Sequence, residues 1–204
     1  MRHLLFRTAA LLAALPSILA AQQFTHGAKI STLPAPVLMD TTGMFQDAFA
    51  RVGDDLFIGG QPTEKALRDL KARGVTTVVN LRTPEEMKRA VKFDEPALVA
   101  QLGMKYVYLP VRGTPEFPYA PSTVTKFAEA LNAADGKVLL HCTIGWRASH
   151  LWAAYLITRG VAVDSALANA RAVNLMDTMR HTNASRQPVE DFLDRTLPTL
   201  GRPK

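Results

Sequence analysis

Three short runs rich in apolar, β-branched or aromatic residues, 75–82 (VTTVVNLR), 104–111 (MKYVYLPV) and 137–142 (KVLLHC), alternate with segments of helical character. That alternation restricts the chain to an α/β fold with a largely parallel sheet. A shorter apolar run, Asp55-Leu-Phe-Ile-Gly-Gly-Gln, reads as a strand entering a turn. Thr63 is placed to cap a helix whose Ala66, Leu67 and Leu70 share one face before Gly74. Thr83-Pro-Glu-Glu86 spells a capping box with proline at the first helical position, opening a helix to Leu102 with a break at Pro96. Further helices are predicted over 122–133, 147–159, 163–173 and 188–197, and residues 112–121 (RGTPEFPYAP) form a proline-rich loop long enough to cover a site. In such sheets ligands bind beyond the carboxyl ends of the strands, where His141 and Cys142 fall.

The 204 residues, 48% hydrophobic and 21% charged, suit one globular domain with short extensions and argue against a disordered or multispan chain. The single cysteine, Cys142, excludes an internal disulfide, a zinc finger and a cysteine-held cluster. Residues 1–21 have the layout of a secretory signal peptide: Arg2 and Arg7, an apolar stretch, Pro16, then small residues at Ala20 and Ala21. The uncharged run is shorter than the roughly 20 residues a membrane-crossing helix needs. The expectation is therefore a secreted, periplasmic protein without stable membrane insertion, its leader followed by an extended arm over 22–44 and a catalytic domain over 45–204. Removing Arg2 and Arg7 leaves 22 basic against 18 acidic residues, a formal +4 compatible with an anionic substrate. No basic stripe interleaved with aromatics supports a nucleic-acid partner.

The chemistry resides in VLLHCTIGWRAS. A strand ends in Cys142, a turn contains Gly145, and Arg147 opens a helix. Such a turn directs backbone N–H groups and a helix N-terminus at one point, a nest for an oxyanion with a thiolate on its floor. The N–H groups, the helix dipole and Arg147 favour the thiolate, which predicts a nucleophile near neutral pH. Arg147 offers a planar fork for two phosphate oxygens. His141 reads as structural, donating to loop carbonyls beneath the thiolate, with direct proton transfer as its other role. Trp152 and Tyr155 read as core; Trp146 either lines the pocket mouth or packs behind the loop.

The stretches FIGGQPTEKALRDLKARGVTTVVNLRTPEE, MKYVYLPV and VLLHCTIGWRASHLWAAYL resemble the bacterial dual-specificity-phosphatase-like proteins, the tyrosine-phosphatase-like group that includes the phosphatase-like domain of beta-lactamase-hydrolase-like proteins. The resemblance covers about 55–173. It implies a cysteine-phosphatase fold, a three-layer αβα arrangement with a central, mainly parallel sheet flanked by helices, and a phosphocysteine route with neither metal nor other cofactor. It makes Cys142 the nucleophile, the backbone of Thr143, Ile144, Gly145 and Trp146, continuing through Arg147 to Ala148, the phosphate cradle, and Arg147 the clamp. Arg82 matches a position that orders or charges the site; the other reading is a surface arginine capping a strand end.

Three departures from the well-studied tyrosine phosphatases stand out. Four residues rather than five separate Cys142 from Arg147, a spacing also used by rhodanese-type sulfurtransferases. Ala148 stands where a hydroxyl normally helps the thiolate leave, with Ser149 one position later, which leaves Thr143 as substitute. The loop before the third helical segment has no Asp, and Glu116 is its only acid and the candidate general acid. The leading expectation is a phosphatase acting on a phosphorylated substrate of unspecified class. Its alternatives are a rhodanese-like sulfurtransferase carrying a Cys142 persulfide and a non-enzymatic anion-binding or redox-sensing module. Oligomeric state is not specified by the sequence.

Overall fold

A computed structural model describes residues 35–175 and 186–198. The segment read as a leader, 1–21, and the first part of the segment read as an arm, 22–34, lie outside the described residues. Among the described residues, six strands, β1 (Val37–Leu38), β2 (Phe49–Val52), β3 (Leu56–Gly59), β4 (Val75–Asn80), β5 (Lys105–Tyr108) and β6 (Lys137–His141), form one sheet in the order β1-β2-β3-β6-β4-β5. β3, β6, β4 and β5 run parallel, while β1 and β2 add an antiparallel flank. Val37–Leu38, within the segment read as an arm, is thus paired into the sheet. Strands this short lack a periodic signal; their partners create them.

Among the described residues, seven helices surround the sheet: α1 (Glu64–Ala72), α2 (Pro84–Ala90), α3 (Glu95–Gln101), α4 (Pro121–Asn132), α5 (Trp146–Thr158), α6 (Val163–Arg171) and α7 (Gln187–Leu193). Thr63 caps α1 as expected, and the Thr83/Glu86 capping box of α2 is complete. The expected single helix to Leu102 is two. α2 stops at Ala90 and a new helix starts after Asp94, whose side chain accepts the Ala97 N–H, so Pro96 opens α3 instead of breaking a longer helix. α7 ends at Leu193, before the expected 197.

The sheet divides the core by strand alternation. Val138, Leu140 and Cys142 face one cluster with α4, α5, α6 and α7, whereas Leu139 faces the other with α1 and α3. α5 is buried from Arg147 to Ile157 because the sheet, α4, α6 and α7 enclose it. Trp152 and Tyr155 belong to this core. Consecutive residues at the end of β6 therefore enter opposite layers, His141 towards α3 and Cys142 towards α5, and this places the site at the carboxyl edge of the parallel strands.

Candidate active site

Cys142 directly follows β6, is 1% exposed, and precedes a turn that enters α5. Gly145 makes that turn at φ +87°, a left-handed conformation open to glycine at little cost, and no side chain caps the helix. The first-turn N–H groups of α5 are thereby left for a ligand at the positive end of a 13-residue helix. The loop carbonyls are held from outside. Gln61 N–H donates to Thr143 O at 2.9 Å, and the Asn174 side chain donates to Ile144 O. In a planar trans peptide the C=O and N–H point opposite ways, so the outward Thr143 carbonyl turns the Ile144 N–H inward. Gly60 lies against this turn: a Cβ there would overlap the Gln46 carbonyl and stand 2.9 Å from Thr143 O.

Arg147 is 5% exposed and its guanidinium is fixed. Nη1 donates to Glu86 Oε2 at 2.9 Å, Val111 O at 2.7 Å and Leu81 O at 3.2 Å. Nη2 donates to Glu86 Oε1 at 2.7 Å and Thr143 Oγ1 at 3.0 Å. Arg112 adds a bond to Glu86 Oε1 at 2.6 Å. Burial would raise the Glu86 carboxyl, but the Arg147 hydrogen bonds, the Thr83 N–H and the charges of Arg147 and Arg112 outweigh it and hold the pKa at about 2. Burial likewise opposes the Arg147 charge, and its bonds to Glu86, with the fields of Cys142 and Glu86, overcome that and raise its pKa. These bonds from both Nη groups hold the cation in one orientation beside the loop that follows Cys142.

A second polar cluster lies behind the loop. Glu95 is 0% exposed; its Oε1 pairs with His141 Nε2 at 2.9 Å and accepts from Asn80 at 3.2 Å, and its Oε2 accepts from Gln61 Nε2. Burial would raise this carboxyl, but the His141 charge and the hydrogen bonds from His141 and Gln61 lower it below the ordinary value. Arg82 Nη1 donates to Gln61 Oε1 at 2.6 Å and Nη2 to Glu86 O at 3.1 Å.

The structure gathers Cys142, the 143–148 backbone, Arg147, His141 and Arg82 at one edge of the sheet. Two readings are corrected. Arg82 is 2% exposed and bonded inward, so it is no surface cap. His141 bonds Glu95, not loop carbonyls, because strand alternation points it into the α3 layer, where its Nδ1 has no partner. Thr143 Oγ1 bonds Arg147 and Glu86, and Ser149 Oγ donates to Trp146 O, so neither hydroxyl makes a hydrogen bond to Cys142. The Trp146 ring packs on His150 at 4.0 Å. Glu116 is exposed on the loop and, among the described residues, bonds neither Cys142 nor Arg147. As site residues, Glu86, Glu95, Gln61 and Asn174 escaped the sequence reading, which saw Glu86 only as the acid of a capping box. Glu95 left a signal: with Leu98, Val99 and Leu102 it follows the i, i+3, i+4, i+7 spacing of the buried face, which marks a buried acid.

Comparisons with known proteins agree with this geometry. The beta-lactamase hydrolase-like protein of Xylella fastidiosa is 31% identical over 103 residues, which are 50% of this chain and 23% of that protein; the chain spans under a quarter of its relative's length. A DUF442 protein from Shewanella putrefaciens superposes with TM-score 0.56 at 26% identity, covering 74% of this chain and 91% of that one. The Pseudomonas aeruginosa protein TpbA, as a Cys-to-Ser variant bound to phosphotyrosine, shares the fold with TM-score 0.53 at 20% identity, over 67% of this chain and 77% of that one. Residues 41–187 match the family described as "DSP-PTPase phosphatase fused to NAD+ Kinase", and the chain belongs to that family of cysteine-based phosphatases.

Proposed function

We propose that the chain is a secreted, periplasmic phosphatase that hydrolyses a phosphate monoester through a phosphocysteine. The observation that carries this reading is the convergence of Cys142, an uncapped helix N-terminus and an Arg147 immobilised by Glu86. In the first step the Cys142 thiolate attacks phosphorus, a P–S bond forms, and the P–O ester bond breaks with its electron pair on the leaving oxygen, which takes a proton from water or Glu116. In the second, water attacks phosphorus, the P–S bond breaks, and inorganic phosphate leaves with the thiolate restored. The cradle N–H groups and Arg147 serve both steps by neutralising the equatorial oxygens. The phosphotyrosine held by the TpbA variant supports an aryl phosphate as the first substrate to try. Secretion rests on the leader sequence alone.

The test is phosphate release from an aryl phosphate by the purified, reduced chain beside Cys142→Ser and Arg147→Ala. Turnover abolished in the first and cut by two or more orders of magnitude in the second is expected; insensitivity to both overturns the reading. The four-residue spacing and the commitment of the Thr143 and Ser149 hydroxyls to partners other than Cys142 favour sulfur transfer as a second reading. It predicts the mass of one added sulfur on Cys142 after exposure to a sulfane donor.

A further inference from the structure

Gln61 occupies an unusual electrostatic position. Its side-chain amide lies between two buried groups of opposite charge, Arg82 at 2% exposure and Glu95 at 0%. Its Oε1 accepts from Arg82 at 2.6 Å and its Nε2 donates to Glu95, so the two charges are joined through the amide. The partners fix which end of the amide is oxygen, since an arginine only donates and a carboxylate only accepts. The backbone of Gln61 is equally committed: its N–H donates to Thr143 O and its O accepts from Gln46 N–H at 3.0 Å. One residue thus connects the buried charges behind the sheet edge to the carbonyl whose orientation turns the Ile144 N–H into the cradle. Glu95 extends the connection to His141, the residue before Cys142.

We propose that Gln61 is a positioning residue for the phosphate loop, held in place by the opposed pull of Arg82 and Glu95. It touches no substrate; it acts through Thr143 O. The inference rests on the anion-cradle part of the functional reading and not on turnover. Breaking one bond of the column leaves a buried charge short of one partner, which is costly. Exchanging the two ends re-forms the bonds between the three residues and gives up only the one from Gln61 Nε2 to Pro62 O at 3.1 Å: a carboxylate at position 61 accepts from Arg82, and an amide at position 95 donates to it while its oxygen faces Asn80 and His141.

The experiment is a double-mutant cycle of Gln61→Glu, Glu95→Gln and the pair together. Cys142 is the sole cysteine, so alkylation reports on it alone. The readouts are the rate ratio of iodoacetate, an anion the cradle attracts, to neutral iodoacetamide, and kcat and KM for an aryl phosphate. Gln61→Glu sets two carboxylates against each other and is expected to lower the rate ratio and reduce kcat about tenfold, less than the roughly 10²-fold or greater loss of a direct oxyanion donor. Lowering the pH restores part of both, as a proton shared by the carboxylates re-forms the bond. Glu95→Gln alone is expected to lower both at every pH, and the double variant to recover most of the loss. Unchanged ratios in the single variants, or a double variant as impaired as they are, overturn the proposal. A rate ratio in the parent chain no higher than that of free cysteine overturns the cradle itself, and the proposal with it. A high ratio without turnover overturns phosphatase activity and leaves the Gln61 cycle to be decided by alkylation.

Discussion

The Glu86 carboxylate joins helix capping to the placement of Arg147: Oε2 accepts the Thr83 N–H at 2.9 Å, closing the capping box of α2, and the same atom accepts Arg147 Nη1 at 2.9 Å. The start of α2 and the arginine of the phosphate loop are therefore set by one side chain. A capping-box glutamate elsewhere contributes about 0.3–1.5 kcal/mol; here its loss would also leave a buried guanidinium without its counter-charge.

Glu86→Gln is expected to keep the fold and lower kcat/KM for an aryl phosphate at least tenfold, because the amide can satisfy only part of what Arg147 and Arg112 offer. Steady-state kinetics at pH 6–7 checks it, and unchanged kcat/KM would show that Arg147 is held well enough by Val111 O and Leu81 O.

The same pair gives acid sensitivity. The folded Glu86 pKa, about 2, lies below its ordinary value of 4.5, so its contribution is fully present above about pH 5 and is lost as pH falls towards 2. The shift corresponds to about 3 kcal/mol. Melting temperatures of the parent and Glu86→Gln are expected to differ most above pH 5 and to converge near pH 2; a constant difference would show that the carboxylate is not the source.

Gly60→Ala is expected to lower Tm by about 5 °C or more and to weaken anion binding, since the added Cβ meets backbone on two sides, the Gln46 and Thr143 carbonyls. Gly160→Ala is the comparison: its φ of +86° costs about 1 kcal/mol, but nothing lies within 4 Å. Thermal melts and tungstate titration of both variants separate the clash from the backbone cost.

Glu116→Gln is expected to change aryl-phosphate turnover less than tenfold, against roughly 10²–10⁴-fold for a committed general acid, because Glu116 stands exposed and unbonded to the site. Alkyl phosphates, whose leaving oxygen needs the proton, should turn over much more slowly than aryl ones. A loss of 10²-fold or more in Glu116→Gln would instead assign the proton to it.

Much of this protein follows from local pattern. The β-branched runs and the capping signals at Thr63 and Thr83 act within a few residues, and they placed β4, β6, α1 and the start of α2. The strand-Cys142-Gly145-Arg147 order likewise fixed where an oxyanion would sit, since a strand end, a left-handed turn and a helix N-terminus are successive in the chain. Tertiary structure decided the partners. Arg147 and Glu86 are 61 residues apart, and His141 and Glu95 are 46 apart; no local rule pairs such charges. They meet because parallel strands bring the ends of β4 and β6 side by side, and because burial there leaves each charge stable only with an opposite partner. Backbone pairing along the sheet likewise made β1, which is exposed, and β2, which is largely buried; both have too few residues to show a period and exist only through the strands beside them.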